Sequence, residues 1–144
     1  QFQWWAVGLI DAIPFGGRRK GADSGIDGVI YFRPDGKNSE RAIVSVKGGR
    51  NVGVAMIREL GHVMEREQAP IAVFLTLQRP TSPMRKEAAK AGRYETEFGS
   101  FPRIQILTIE EALHGSRPQI PFADSATYKR SKVEKQGRQR NLFG

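Results

Sequence analysis

Apolar and polar positions recur along this chain with two periods, and the changes of period mark out its elements. Between residues 2 and 11, Phe2, Trp5, Ala6, Leu9 and Ile10 fall at helical spacing, which predicts a short helix with one apolar face. Trp4 and Trp5 are read as core and packing residues rather than as a base-stacking platform. Gly8 weakens this helix by about 1 kcal/mol relative to alanine, and Pro14 ends it. Residues 26–32 are rich in branched and aromatic side chains and read as a strand. Pro34 and Asp35-Gly36 then signal a turn. Residues 41–46 are nearly continuous apolar, which predicts a central strand covered on both faces and paired antiparallel with the one before it.

The period returns to helical over residues 52–68, with Asn51 placed as the cap. Met56 or Ile57, Leu60, Val63 and Met64 face inward there, and Arg58, Glu59, Glu65, Arg66 and Glu67 face outward. Residues 71–77 form a buried-strand run. Thr81-Ser82-Pro83 starts another helix, with proline at its first position, ending near Gly92. Residues 103–107 are a further strand. Thr108 and Glu111 form a capping box that opens a last short helix, closed by His114 and Gly115. Strand, helix, strand in succession demands a crossover and so a parallel pair. The expected fold class is α/β, with a mixed central sheet of about four to five strands flanked by helices.

Composition narrows the classes. The 144 residues suit one domain, and no apolar run approaches the roughly 20 residues that span a bilayer, so no membrane is expected. No basic n-region precedes the opening apolar stretch and no small-residue cleavage site follows it, so it is not read as a signal peptide. The absence of cysteine excludes disulfides, zinc–thiolate sites and thiol catalysis, and fits a cytoplasmic protein. The chain starts at Gln1 inside a helical pattern and is expected to be a segment of a longer polypeptide or a processed form.

The net charge of +8 makes a polyanion the natural partner. Its distribution is uneven, because residues 117–144 hold seven Lys or Arg against Asp124 and Glu134. The expected organisation is therefore a folded domain over residues 1–121 and a basic, flexible tail over 122–144.

The chemistry concentrates in the predicted strand pair. Asp27 stands at the mouth of the first strand; Ser45 and Lys47 stand at the end of the second, on one face because they are two residues apart. Antiparallel pairing would bring all three together. A carboxylate and a lysine converging at a sheet edge in a basic protein suit metal-dependent phosphodiester hydrolysis. Mg²⁺ takes hard oxygen ligands and is commonly held by one or two carboxylates plus substrate phosphate. Asp27 is the candidate ligand, with the Val46 backbone carbonyl as a second and Ser45 as a third, through water. Lys47 would orient or deprotonate the attacking water, or neutralise developing charge. The bland alternative for Asp27 and Lys47 is a structural ion pair. Gly48-Gly49 leaves room for something to approach the strand end. Arg18-Arg19-Lys20 reads either as a solvated turn or, with Arg50, as a set of phosphate contacts. His62 and His114 lack a second ligand at metal spacing and are read as structural or capping residues.

Residues 21–28, Gly-Ala-Asp-Ser-Gly-Ile-Asp-Gly, followed by Ile43-Val44-Ser45-Val46-Lys47-Gly48-Gly49, resemble the PD-(D/E)xK nuclease superfamily, and more narrowly the Mrr-type restriction endonuclease catalytic domain. The likeness is to the branch appended to adenine-specific DNA methyltransferases. It runs from residue 2 to about 121, through Asn51-Val52-Gly53, Arg58-Glu59-Leu60, Pro80-Thr81, Met84, Glu87-Ala88 and residues 102–108. It implies a restriction-endonuclease-like fold and a restriction–modification setting. It also implies Mg²⁺-dependent cleavage of DNA, with Mn²⁺ as a substitute, Asp27 as metal carboxylate and Lys47 as catalytic lysine. Association with a methyltransferase follows from it as well. Cutting both strands would need two sites, hence a homodimer. Ser45 departs from the family, which has Glu, Asp or Gln there. Asp23 and Glu59 are candidates to replace the missing carboxylate, against blander readings as a turn residue and a solvated helix residue. The alternative function is a catalytically weakened, DNA-binding version of the fold.

Overall fold

In the computed structural model, residues 1–15 and 24–121 are described. Among them, four helices and seven strands follow one another as α1 (Phe2–Leu9), β1 (Ile13–Pro14), β2 (Gly28–Phe32), β3 (Glu40–Lys47), α2 (Val54–Arg66), β4 (Ile71–Thr76), α3 (Ser82–Ala89), β5 (Arg93–Thr96), β6 (Gly99–Pro102), β7 (Ile104–Thr108) and α4 (Ile109–Leu113). Five strands form one sheet in the order β1-β2-β3-β4-β7. β1 and β2, and β2 and β3, pair antiparallel; β3, β4 and β7 run parallel. The molecule is α/β with a mixed five-stranded sheet between helices, as the periodicity predicts.

The alternation of β3 sets the two layers. Ala42, Val44 and Val46 join a core with Ala6 and Val7 of α1, Ile10 at its C-cap, and Ile109 and Ala112 of α4. Ile43 joins the opposite core, with Ile57, Leu60, Val63 and Met64 of α2 and Met84 and Ala88 of α3. Each strand residue therefore has one fixed side, and Ser45 and Lys47 share the side of Ile43.

Several expectations need correction. The second helix is shorter than 52–68, and its N-cap is Gly53 in extended backbone rather than Asn51, with no side-chain cap. Two further turn residues are thus left outside the helix, next to the end of β3. α3 is capped by the Thr81 hydroxyl, which accepts from the Met84 N–H, and Pro83 is its second residue rather than its first. Leu77 is not part of the buried run; it lies just past β4 and is 49% exposed. The tryptophans are not core: Trp4 is 53% and Trp5 50% exposed, while Ala6, Val7 and Ile10 do the packing. The reason lies in β2. A Cβ on Gly28 would stand 2.8 Å from Val7 Cγ1, so this glycine lets α1 seat its small residues on the strand and turns the aromatics outward.

Strands β1 and β5–β6 were not anticipated. β1 has two residues, one of them proline, and occupies the sheet edge where proline is tolerated. β5 and β6 form a separate antiparallel hairpin. Tyr94 and Phe101 face each other across it and pack against the α1-side core, with Tyr94 edge-on to Phe32 at 6.3 Å. The strand expected over 26–32 begins at Gly28, so Ile26 and Asp27 precede it, and α3 ends at Ala89 rather than near Gly92. Thr108 and Glu111 make the reciprocal capping box, and Gly115 takes a left-handed φ of 99° after α4.

Candidate active site

The segment before β2 is built to present one carboxylate. Gly25 adopts a φ of 77°, a backbone that L side chains rarely take, and turns the chain into the strand. Arg66 of α2 donates to the Ser24 carbonyl at 2.6 Å, and the Ile26 side chain is fully buried. Asp27 is thus held from both sides. Its N–H donates to the Val44 carbonyl at 2.8 Å and its carbonyl accepts from Phe15 N–H at 3.0 Å.

The Asp27 side chain reaches along the edge of β3. Its Oδ2 accepts from the Val46 N–H at 2.7 Å. Val44 offers its carbonyl to the same side, so by strand alternation the Val46 carbonyl points there too, beside the carboxylate. Burial raises the Asp27 pKa above its ordinary value; the Val46 hydrogen bond and the positive charge of Lys47 pull the other way without cancelling it. A carboxylate set in this way is poorly solvated and gains from a cation.

Ser45 and Lys47 follow on the α2 side of the same strand. Ser45, only 5% exposed, lies one step inside, whereas Lys47 is half-buried at the strand end. Asp27 also falls on this side, two residues before Val29 of the α2-side core. The structure therefore gathers Asp27, Ser45 and Lys47 at the carboxyl end of β3, where parallel α/β sheets place their ligand crevices. Arg50 is exposed in the segment leading to α2. Arg18, Arg19, Lys20 and Asp23 lie outside the described residues. Glu59 is exposed on the outer face of α2, and among the described residues no three His, Cys, Asp or Glu side chains converge on a metal position. His62 is exposed; His114, at the α4 C-cap, has its Nδ1 2.8 Å from the Glu110 carbonyl oxygen, a capping arrangement.

A cleft of about 610 Å³ lies elsewhere, at the β7 edge, lined by Arg85, Arg93 and Arg117 among others. Arg93 is committed to Ser100, and Arg117 to Asp11 and the Ala112 carbonyl. The cleft includes none of the three strand-end residues.

Sequence reasoning missed the other side of this strand end. A Cβ on Gly48 would come within 2.6 Å of the Phe2 ring, so the ring lies on the backbone directly after Lys47. Phe2 and Trp5 stack at a tilt, 5.8 Å between centroids. The paired glycines at 28 and 48, each opposite an α1 side chain, were the available signal.

The mixed five-stranded sheet between helices is an α/β arrangement of the restriction-endonuclease-like kind. The family model for the Mrr-type catalytic domain, described as restriction endonuclease, matches residues 14–107. The chain belongs to that family. No curated protein matches it.

Proposed function

We propose that this chain is a metal-dependent DNA endonuclease domain of restriction–modification type, cutting phosphodiester bonds with Asp27 and Lys47. The observation that carries the reading is the Asp27 carboxylate pinned by the Val46 N–H at the strand end, with the charge of Lys47 acting on it. The donor set fits Mg²⁺, or Mn²⁺ in its place. Asp27 Oδ1 is left outside the Val46 bond, the Val46 carbonyl shares the same edge, and Ser45 adds a hydroxyl, all hard oxygens. Bound there, the cation would lower the pKa of a coordinated water and offset charge on the phosphoryl oxygens.

The chain's own groups have separate tasks. Asp27 would hold the cation, and the Val46 hydrogen bond fixes the carboxylate that does so. The Lys47 ammonium orients the attacking water or balances the charge that builds in the transition state. Arg50, with Arg18, Arg19 and Lys20, holds flanking phosphates and so sets register without reading sequence. Residues 1–121 form the nuclease domain and 122–144 a basic tail. Target choice comes from an associated DNA methyltransferase, and double-strand cutting from a homodimer.

Ser45 in place of a carboxylate supports a second reading, a weakened nuclease fold that binds DNA without cutting it. Incubating supercoiled plasmid with the wild-type chain, Asp27→Ala and Lys47→Ala, in Mg²⁺ and in Mn²⁺, separates the two. Nicking by wild type that both substitutions abolish supports the nuclease. Salt-sensitive binding with no nicking in either metal supports the second reading.

A further inference from the structure

The α1 side of the β3 end carries an exposed aromatic surface that the cleavage chemistry does not use. Phe2, Trp4 and Trp5 are each at least a third exposed, although the first five residues of α1 contain no charge and the helix packs through Ala6, Val7 and Ile10. Leu77 extends the surface. Lys47 pairs with Thr76, so Gly48 and Leu77 stand side by side at the ends of β3 and β4, and Leu77 is half exposed. Exposed apolar side chains grouped at one strand end mark a contact surface.

Its position indicates the contact. Phe2 lies on Gly48, the residue after Lys47, and successive strand residues face opposite ways. The aromatic rings and the Asp27–Lys47 pair therefore flank one strand end from its two sides. Lys47, one residue before the glycine that carries the Phe2 ring, places a cation at the margin of this apolar surface. A nucleotide has both halves of that pattern, an anionic backbone and a flat apolar base. We propose that Phe2 and Trp5 form a stacking platform for an unpaired base of the DNA substrate, while its phosphodiester backbone lies on the Asp27–Lys47 side. The inference deepens the nuclease reading and rests on DNA as the ligand.

The chain has two tryptophans, both in α1, so its intrinsic tryptophan emission reports this surface alone. The full chain is titrated in magnesium-free buffer with a short single-stranded oligonucleotide and with a duplex whose ends are closed by loops. Binding is followed in parallel by anisotropy of labelled DNA. Single strands are expected to quench the emission as they bind. Trp5→Ala should weaken single-strand binding by about 5- to 100-fold and closed-duplex binding by less than about twofold, since stacking serves only an exposed base. Trp5→Phe should restore most of the loss. Gly48→Ala, which pushes the Phe2 ring aside without removing it, should weaken single-strand binding in the same direction.

Three results would overturn the platform. One is saturation by anisotropy with unchanged emission. Another is equal weakening of both DNAs by Trp5→Ala. The third is an emission change that follows protein concentration without DNA, which would assign the surface to a second copy of the chain. The two readings fail separately: quenching without plasmid cleavage sinks the nuclease alone, and Asp27-dependent cleavage without quenching sinks the platform alone.

Discussion

The two sides of the β3 end are made from alternate residues of one short stretch, yet they solve opposite problems. Toward α2, Ser45 and Lys47 join Asp27 in a polar group that is drawn out of water. Toward α1, Val46 closes the core and Gly48 gives way to the Phe2 ring, which is left 36% exposed. The polar side has a carboxylate whose burial makes its charge costly; the apolar side has rings whose exposure gains nothing in the free protein. Both are unfavourable for the isolated domain, and under the proposed function a cation and a nucleic acid would offset them. Departures from the usual inside–outside rule concentrate where a ligand completes the structure.

The comparison can be broken from the polar side first. Asp27→Ala should lower the cleavage rate by about 10³-fold, the size expected when an anchor worth several kcal/mol of charge stabilisation is lost, measured under single-turnover conditions. Restoring a second carboxylate should act in reverse. Ser45→Asp is expected to tighten Mg²⁺ by about tenfold in calorimetry, because ligand charge tunes affinity for hard cations. Weaker binding would show that Ser45 lies too far inside β3 to reach the cation.

Smaller effects test the apolar side and the cost of the polar one. Gly48→Ala should destabilise the fold by about 1 kcal/mol in denaturant titration, since the new Cβ forces Phe2 to move within a formed contact. For Asp27 the sign follows from its raised pKa. Below 3.8, the ordinary carboxyl value, the group is protonated in folded and unfolded chains alike and costs nothing. As pH rises through the higher folded value, the unfolded chain ionises more readily and stability falls. Asp27→Asn keeps a side-chain oxygen for the Val46 N–H. It should therefore melt above wild type at neutral pH without metal, and lose that margin below pH 3.8. A lower melting point at neutral pH would mean that the Lys47 attraction outweighs burial.

The polar side was legible because strands alternate with period two. Once residues 26–32 and 41–46 read as an antiparallel pair, Asp27, Ser45 and Lys47 were expected at one end of it, and the Val44–Asp27 ladder bond shows that the two segments pair there. The apolar side was not legible from period alone. The helical spacing of Phe2, Trp5, Ala6, Leu9 and Ile10 points to a face that burial by small residues at Gly28 rotates away. That rotation depends on a strand about twenty residues distant. The β5–β6 hairpin escaped for a related reason. Its tip at Glu97-Phe98 lacks an Asn-Gly or Asp-Gly signal, Pro102 argues against a strand, and its pairing is secured by Tyr94 and Phe101 against a core assembled from other elements. Asn51 looked like a cap by residue type, but the chain needs two more residues to leave β3 before α2 begins.

The most direct measurement pairs single-turnover cleavage with DNA affinity for Lys47→Ala, in Mg²⁺, against wild type. Removing one preorganised cation from the reacting phosphate should slow cleavage by about 10²- to 10³-fold while affinity changes by about a tenth of that or less. Cleavage that persists at the wild-type rate, or a loss wholly accounted for by weaker binding, would contradict the Asp27–Lys47 centre.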